Sequence, residues 1–145
     1  MTRIMVCGST SVEDIELLTE AGVDGIGLIT EVAQTIECNL SREQACHLVS
    51  RIPPLVASVL ILTVTRVEEI CGLFELIRPD IVQLHGDVNP QDLSFLKKRF
   101  PVKIVKALLV PDQSFSAVHL LSQVQIYLDH GVDAILVDSG SGGKY

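Results

Sequence analysis

Six short apolar runs alternate along this 145-residue chain with five longer segments of helical periodicity, and the connections between them are short. No other feature restricts the fold as much. Strands separated by whole helices cannot pair as hairpins. They pair in parallel through right-handed crossovers, which makes the class α/β. The runs are residues 3–6, 25–30, 55–62, 81–84, 102–108 and 134–137. The intervening segments predict helices over 12–21, 41–51, 67–77, 90–100 and 114–130.

Punctuation supports these boundaries. Ser11 and Ser41 stand where N-caps belong, with Asp14 three residues after the first. Gly22 is placed to end the first helix in the left-handed conformation that a Cβ disfavours. Pro53 and Pro54 stop the second helix, Pro79 follows the third, and Pro90 suits the first turn of the fourth. An internal echo recurs: Gly22-Val23-Asp24-Gly25-Ile26 and Gly131-Val132-Asp133-Ala134-Ile135, with Arg78-Pro79-Asp80-Ile81 in the same slot. Each supplies a helix stop, an acidic residue and the next strand. The continuous apolar run 55–62 is of the kind buried on both faces.

Periodicity does not choose between an open doubly wound sheet and a (β/α)8 barrel. The length favours the open sheet, because barrels run to about 250 residues. Against this, the chain stops just after a strand, in the glycine-rich stretch 140–145, where a doubly wound domain would add a covering helix. This ending reads as an interruption.

The formal charge of −7 argues against nucleic acid as a partner, since a phosphate backbone calls for clustered Lys and Arg. The first residues turn polar too early for a signal peptide, and the apolar stretch 55–64 is too short for a membrane span. Four cysteines without CxxC spacing indicate neither zinc nor a redox pair. The expectation is a cytoplasmic protein with reduced thiols and no cofactor.

Three of the runs lead into reactive side chains: Cys7, His85 and Asp138. In a parallel sheet or barrel the C-terminal strand ends share one face, which is where active sites form. Cys7 reads either as a base or nucleophile or as a small packing residue, and Gly8 would let a ligand approach the backbone. Asp138 reads as a general acid, partly desolvated after an apolar run, or as a cap of the next turn. His85 could hold a substrate oxygen or form a structural pair with Asp87. Lys106, inside an apolar run, must point to a polar site or to an ion-pair partner. Cys38, Cys46 and Cys71 read as packing residues. The 140–143 glycine run reads as a phosphate-embracing loop or as a mobile end.

Taken together, these strings resemble the phosphoribosylanthranilate isomerase family of tryptophan biosynthesis. The matching pieces are Val6-Cys7-Gly8 with Glu13-Asp14, Glu20-Ala21-Gly22-Val23-Asp24, and Val82-Gln83-Leu84-His85-Gly86-Asp87. Ile104-Val105-Lys106-Ala107 and Leu136-Val137-Asp138-Ser139 before the glycines complete the set. The resemblance implies a (β/α)8 TIM barrel, here only about six β/α units in one domain over 1–145. It implies a cofactor-free Amadori rearrangement of N-(5-phosphoribosyl)anthranilate with Cys7 as base and Asp138 as acid. Gly8, His85 and Lys106 would be the substrate-binding residues.

Three departures stand beside that likeness. Met5 occupies a position where the family usually carries Lys. The loop 30–39, TEVAQTIECN, holds no Arg or Lys, and Cys38 lies near the place of a family arginine that meets the anthranilate carboxylate. The family's seventh and eighth strands, whose loops bind the substrate phosphate, have no counterpart. The expectation is therefore a fragment, or a partial barrel that self-associates or is completed by another chain. Two other readings stay open: a non-catalytic phosphosugar-binding relative, and a paralogous isomerase for an aminosugar phosphate without a carboxylate.

Overall fold

The strands that start at Gly25, Ile81 and Ala134 each begin where a helix stop and a following acidic residue turn the chain back. The computed structural model describes residues 2–32, 36–110 and 116–139. In chain order the elements are β1 (Met5–Cys7), α1 (Val12–Glu20), β2 (Gly25–Thr30), β3 (Asn39–Leu40), α2 (Arg42–Val49) and β4 (Ala57–Leu62). They continue with α3 (Val67–Ile77), β5 (Ile81–Leu84), α4 (Pro90–Arg99), β6 (Lys103–Leu109), α5 (Ala117–Asp129) and β7 (Ala134–Asp138). Ser11 and Ser41 form capping boxes with Asp14 and Gln44, and Pro90 opens α4. Gly22 and Gly131 take positive φ, as helix-ending glycines do.

The differences from the expected boundaries have local causes. Residues 3–4 are not yet strand, because the Ile4 N–H donates to the Asp24 carboxylate rather than to a neighbouring strand. Residues 55–56 belong to the turn after the prolines: the Val56 N–H donates to the Pro53 carbonyl, and Leu55 is fully exposed. The fifth helix is capped by Ser116, and the expected start at Ser114 lies outside the described residues. The two-residue strand β3 was not expected. Its pairing is long-range, and two residues carry no periodicity.

All strands pair in parallel in the order β1-β2-β4-β5-β6-β7. β3 lies on the same edge of β2 as β1, because β4 pairs with β2 through Ile29 on the other edge. The sheet curls into a half-barrel. Alternation sends Ile26, Leu28, Leu60, Leu62, Val82, Leu84 and Ile104 outward into the core under the helices. Gly27, Ile29, Val59, Ile61, Gln83, Val105 and Leu136 face the concave hollow. Apolar residues stand exposed along the two edges, Ile4 beside β1 and Val137 on β7, and α5 buries no residue.

The echoed acidic residues act alike at the N-terminal end of the sheet. Asp24, Asp80 and Asp133 each accept a backbone N–H near the start of the preceding strand: Ile4, Ser58 and Ile104 respectively. Asp133 also holds Lys97 at 2.7 Å and Lys103 at 2.9 Å. Burial alone would raise its carboxyl, but hydrogen bonds from Lys97, the Ile104 N–H and Lys103 outweigh that and lower it to about 2. The folded value lies below the unfolded one, so its contribution, about 2 kcal/mol, is complete above the unfolded value near pH 4 and is lost as pH falls toward 2. Asp133→Asn should therefore melt below the wild type at pH 7, with the gap closing near pH 2. An equal gap at both pH values would exclude the charge as its cause.

Candidate active site

Cys7 ends β1 opposite Gly27. A Cβ at Gly27 would stand 2.8 Å from Cys7 Sγ and 2.9 Å from Ile61 Cδ1, so the missing side chain is what leaves room for the thiol on the concave side. Gly8 then turns the backbone at φ +93° while its N–H donates to the Gly27 carbonyl. The thiol is exposed to solvent, not packed as one sequence reading allowed. Even so, partial burial pushes its pKa above the ordinary value, and the neighbouring Cys38 adds to that. The next residue, Ser9, is buried, and its hydroxyl has no hydrogen-bond partner among the described residues.

His85 follows β5 by one residue, with its N–H donating to the Leu62 carbonyl at 2.8 Å. Its Nε2 lies 2.6 Å from the amide nitrogen of Gln83, two residues back on the same face. An amide nitrogen only donates, so Nε2 accepts and the ring is neutral with its proton on Nδ1. Burial pushes the imidazole below 6.5; the Asp138 charge opposes this and the Lys106 charge adds to it. In a proton NMR titration His85 should change protonation below pH 6.5, and a midpoint above 6.5 would contradict this neutral arrangement. The suggested pairing with Asp87 does not form among the described residues. Asp87 instead acts on Lys106 and Tyr127.

Asp138 ends β7, in step with Ala134 and Leu136 on the concave side, and its carbonyl accepts from the Val110 N–H at 2.8 Å. Its carboxylate is close enough to His85 to act on the imidazole through its charge. Cys7, Gly8, His85 and Asp138 thus all lie at the C-terminal ends of their strands, on the same side of one curled sheet.

Lys106 does not join them. Its register partner is Leu84, so it points outward under the helices, where it is 1% exposed. Its Nζ donates to the Ala107 carbonyl at 2.5 Å and stands over the Tyr127 ring at 5.2 Å. Contact with substrate is thus corrected to an internal role: strand alternation gives Lys106 the face opposite to its neighbours Val105 and Ala107. Cys38 is corrected too. It does not pack in the core but lies against Gly8, whose added Cβ would meet Cys38 Cβ at 3.6 Å.

Sequence reasoning passed over Gln83 and Gly27. A buried glutamine in an apolar run was the signal for the first. Nothing local marks the second, since its role comes from the neighbouring strand. Among the described residues no group of three or more His, Cys, Asp or Glu is placed to hold a metal ion. A groove of about 520 Å³ between α3 and α4 opens on the outer layer, away from this rim. The glycine run 140–143 lies outside the described residues.

Comparison with known proteins agrees with this fold. The chain is 34% identical to N-(5'-phosphoribosyl)anthranilate isomerase 1 of Methanosarcina mazei and 36% identical to the isomerase of Halobacterium salinarum. In both cases the match covers 99% of this chain and 64% of the relative, so the chain spans just under two thirds of their length. The structure of the Pyrococcus furiosus isomerase superposes with a TM-score of 0.83 at 26% identity, covering 95% of this chain and 67% of that one. Residues 4–144 match the family model for N-(5'-phosphoribosyl)anthranilate (PRA) isomerase, and the chain belongs to that family.

Proposed function

We propose that this protein catalyses the Amadori rearrangement of N-(5'-phosphoribosyl)anthranilate to its 1-deoxyribulose 5-phosphate ketoamine, an isomerase step of tryptophan biosynthesis. One observation carries the reading. A thiol and a carboxyl, at the ends of the two edge strands of one curled sheet, face the same hollow with a neutral imidazole between them. Asp138 protonates the furanose ring oxygen and the ring opens to a cationic Schiff base. Cys7, as thiolate, removes the C2 proton, and the enolamine tautomerises to the ketoamine. His85 offers its Nδ1 proton to a substrate oxygen, and Gly8 leaves space for the ligand at the backbone. Both steps are proton transfers and need no cofactor.

The partner in this reading is a small phosphosugar, in a cytoplasmic protein. Among the described residues no helix is long and apolar enough to cross a membrane. The exposed apolar edges suit self-association or completion by another chain.

A second reading, a related phosphosugar site with altered specificity, rests on the rim beside β2. Glu31, in the left-handed region at φ +57°, holds Arg42 at 2.5 Å, so the cation nearest the loop is already neutralised. That loop contains no Arg or Lys of its own to meet an anthranilate carboxylate. The test is consumption of N-(5'-phosphoribosyl)anthranilate by the longest polypeptide carrying this sequence. Turnover establishes the first reading. A folded protein without turnover shifts the assignment to the second.

A further inference from the structure

We propose that Cys7 and Cys38 form a reversible disulfide at the β1 end of the hollow. The geometry comes from the shared edge of β2. β1 pairs with Gly25–Gly27 and stops at Cys7, and β3 pairs with Ile29 and Thr30 in the same lane, one residue after Cys38. One strand ends on a thiol and the next begins beside one. Cys7 stands beside Gly27 and Asn39 beside Ile29, two residues further along β2, so Cys38 follows Cys7 closely along one lane.

Contacts agree with that placement. The position a Cβ would take on Gly8, directly after Cys7, is 3.6 Å from Cys38 Cβ and 3.7 Å from Cys38 Sγ. Both side chains are accessible, Cys7 exposed and Cys38 partly so, whereas Cys71 is buried. Cys46 is occupied elsewhere, with its Sγ donating to the Leu76 carbonyl. The two thiols also sense each other's charge, since Cys38 raises the pKa of Cys7.

The oxidant is a peroxide. The Cys7 thiolate attacks one peroxide oxygen, the O–O bond breaks, and sulfenic acid and water form after proton uptake. The Cys38 thiol then attacks the Cys7 sulfur, the S–O bond breaks, and a second water leaves. Overall, two thiols lose two hydrogens and one hydrogen peroxide becomes two waters. A dithiol reductant reverses the bond by exchange. The bond itself stands independently of the isomerase reading. Its consequence for turnover, removal of the thiolate base, rests on that reading.

The experiment treats the whole chain with a stoichiometric amount of hydrogen peroxide, followed by intact mass, thiol titration and peptide mapping under non-reducing conditions. The expected result is a monomer lighter by two hydrogens, with free thiols falling from four to two. One Cys7–Cys38 peptide should appear, and dithiothreitol should remove it. Cys38→Ser should yield Cys7 sulfenic or sulfinic acid and no internal cross-link, while Cys46→Ser should still form the bond. A cross-link through Cys46 or Cys71, one between chains, or over-oxidised Cys7 in the wild type would overturn the proposal, as would no oxidation at all. These readouts do not use turnover, so they fail separately from the isomerase assignment.

Discussion

Cys7→Ala and Asp138→Asn are each expected to lower turnover of N-(5'-phosphoribosyl)anthranilate by about 10²–10⁴-fold, the usual effect of removing a positioned acid or base. Neither change should cost much stability. Cys7 is exposed, and alanine leaves the Cys7–Gly27 strand pairing intact. Asp138 contributes to β7 through its backbone carbonyl, which asparagine keeps. Circular dichroism and melting should therefore match the wild type while the rate collapses. Wild-type turnover in either variant would end the role given to that residue. The pH profile adds a second check. Burial, and then Cys38, raise the Cys7 thiol above its ordinary value, so the thiolate fraction in the free protein keeps growing as pH rises past 9. The Cys7 thiolate absorbance, read against Cys7→Ala, is expected to keep rising through the alkaline range, and Cys38→Ser should move that rise to lower pH.

Gly86→Ala should damage the fold severely. Its Cβ would stand 2.3 Å from the Thr63 carbonyl oxygen and 3.0 Å from the carbonyl carbon, both backbone atoms that no rotamer change can move aside. The loop after β5 must lift away from the end of β4. That breaks the His85 N–H bond to Leu62 and draws the imidazole off Gln83. Overpacking of this kind costs about 3 kcal/mol, a large share of a typical domain's stability. Chemical denaturation should show that loss, and the His85 titration should move back toward 6.5 as its burial is relieved. A variant with wild-type stability and an unchanged His85 midpoint would show that the loop does not approach β4 so closely.

The alternation of apolar runs and helical segments, with its Gly-x-Asp and Pro-Asp punctuation, was enough to place every helix and six of the seven strands to within a few residues. These signals are local: caps, φ preferences and periodicity act within a few residues of themselves. That Cys7, His85 and Asp138 stand on one side of the sheet was legible for a related reason, because parallel pairing puts all C-terminal strand ends on that side. What the strand-end rule does not supply is the face a side chain takes, or the neighbour it meets across the sheet.

Lys106 shows the first of these gaps. Its place in an apolar strand marked it as unusual, but a one-residue difference in register would have exchanged the hollow for the helix layer. Only pairing with Leu84 decides between them. Cys38 shows the second. It is 31 residues from Cys7 in a loop without periodicity, and it reaches Gly8 because β3 occupies the lane that β1 vacates. By itself the sequence determined the fold class, the helix and strand order and which strand ends carry chemistry, since each follows from backbone preferences and hydrophobic pattern. The tertiary structure alone decided that Gln83 holds His85 neutral, that Gly27 makes room for the thiol, and that a second thiol stands beside it. Those are contacts between strands, and their distances exist only once the register has been set.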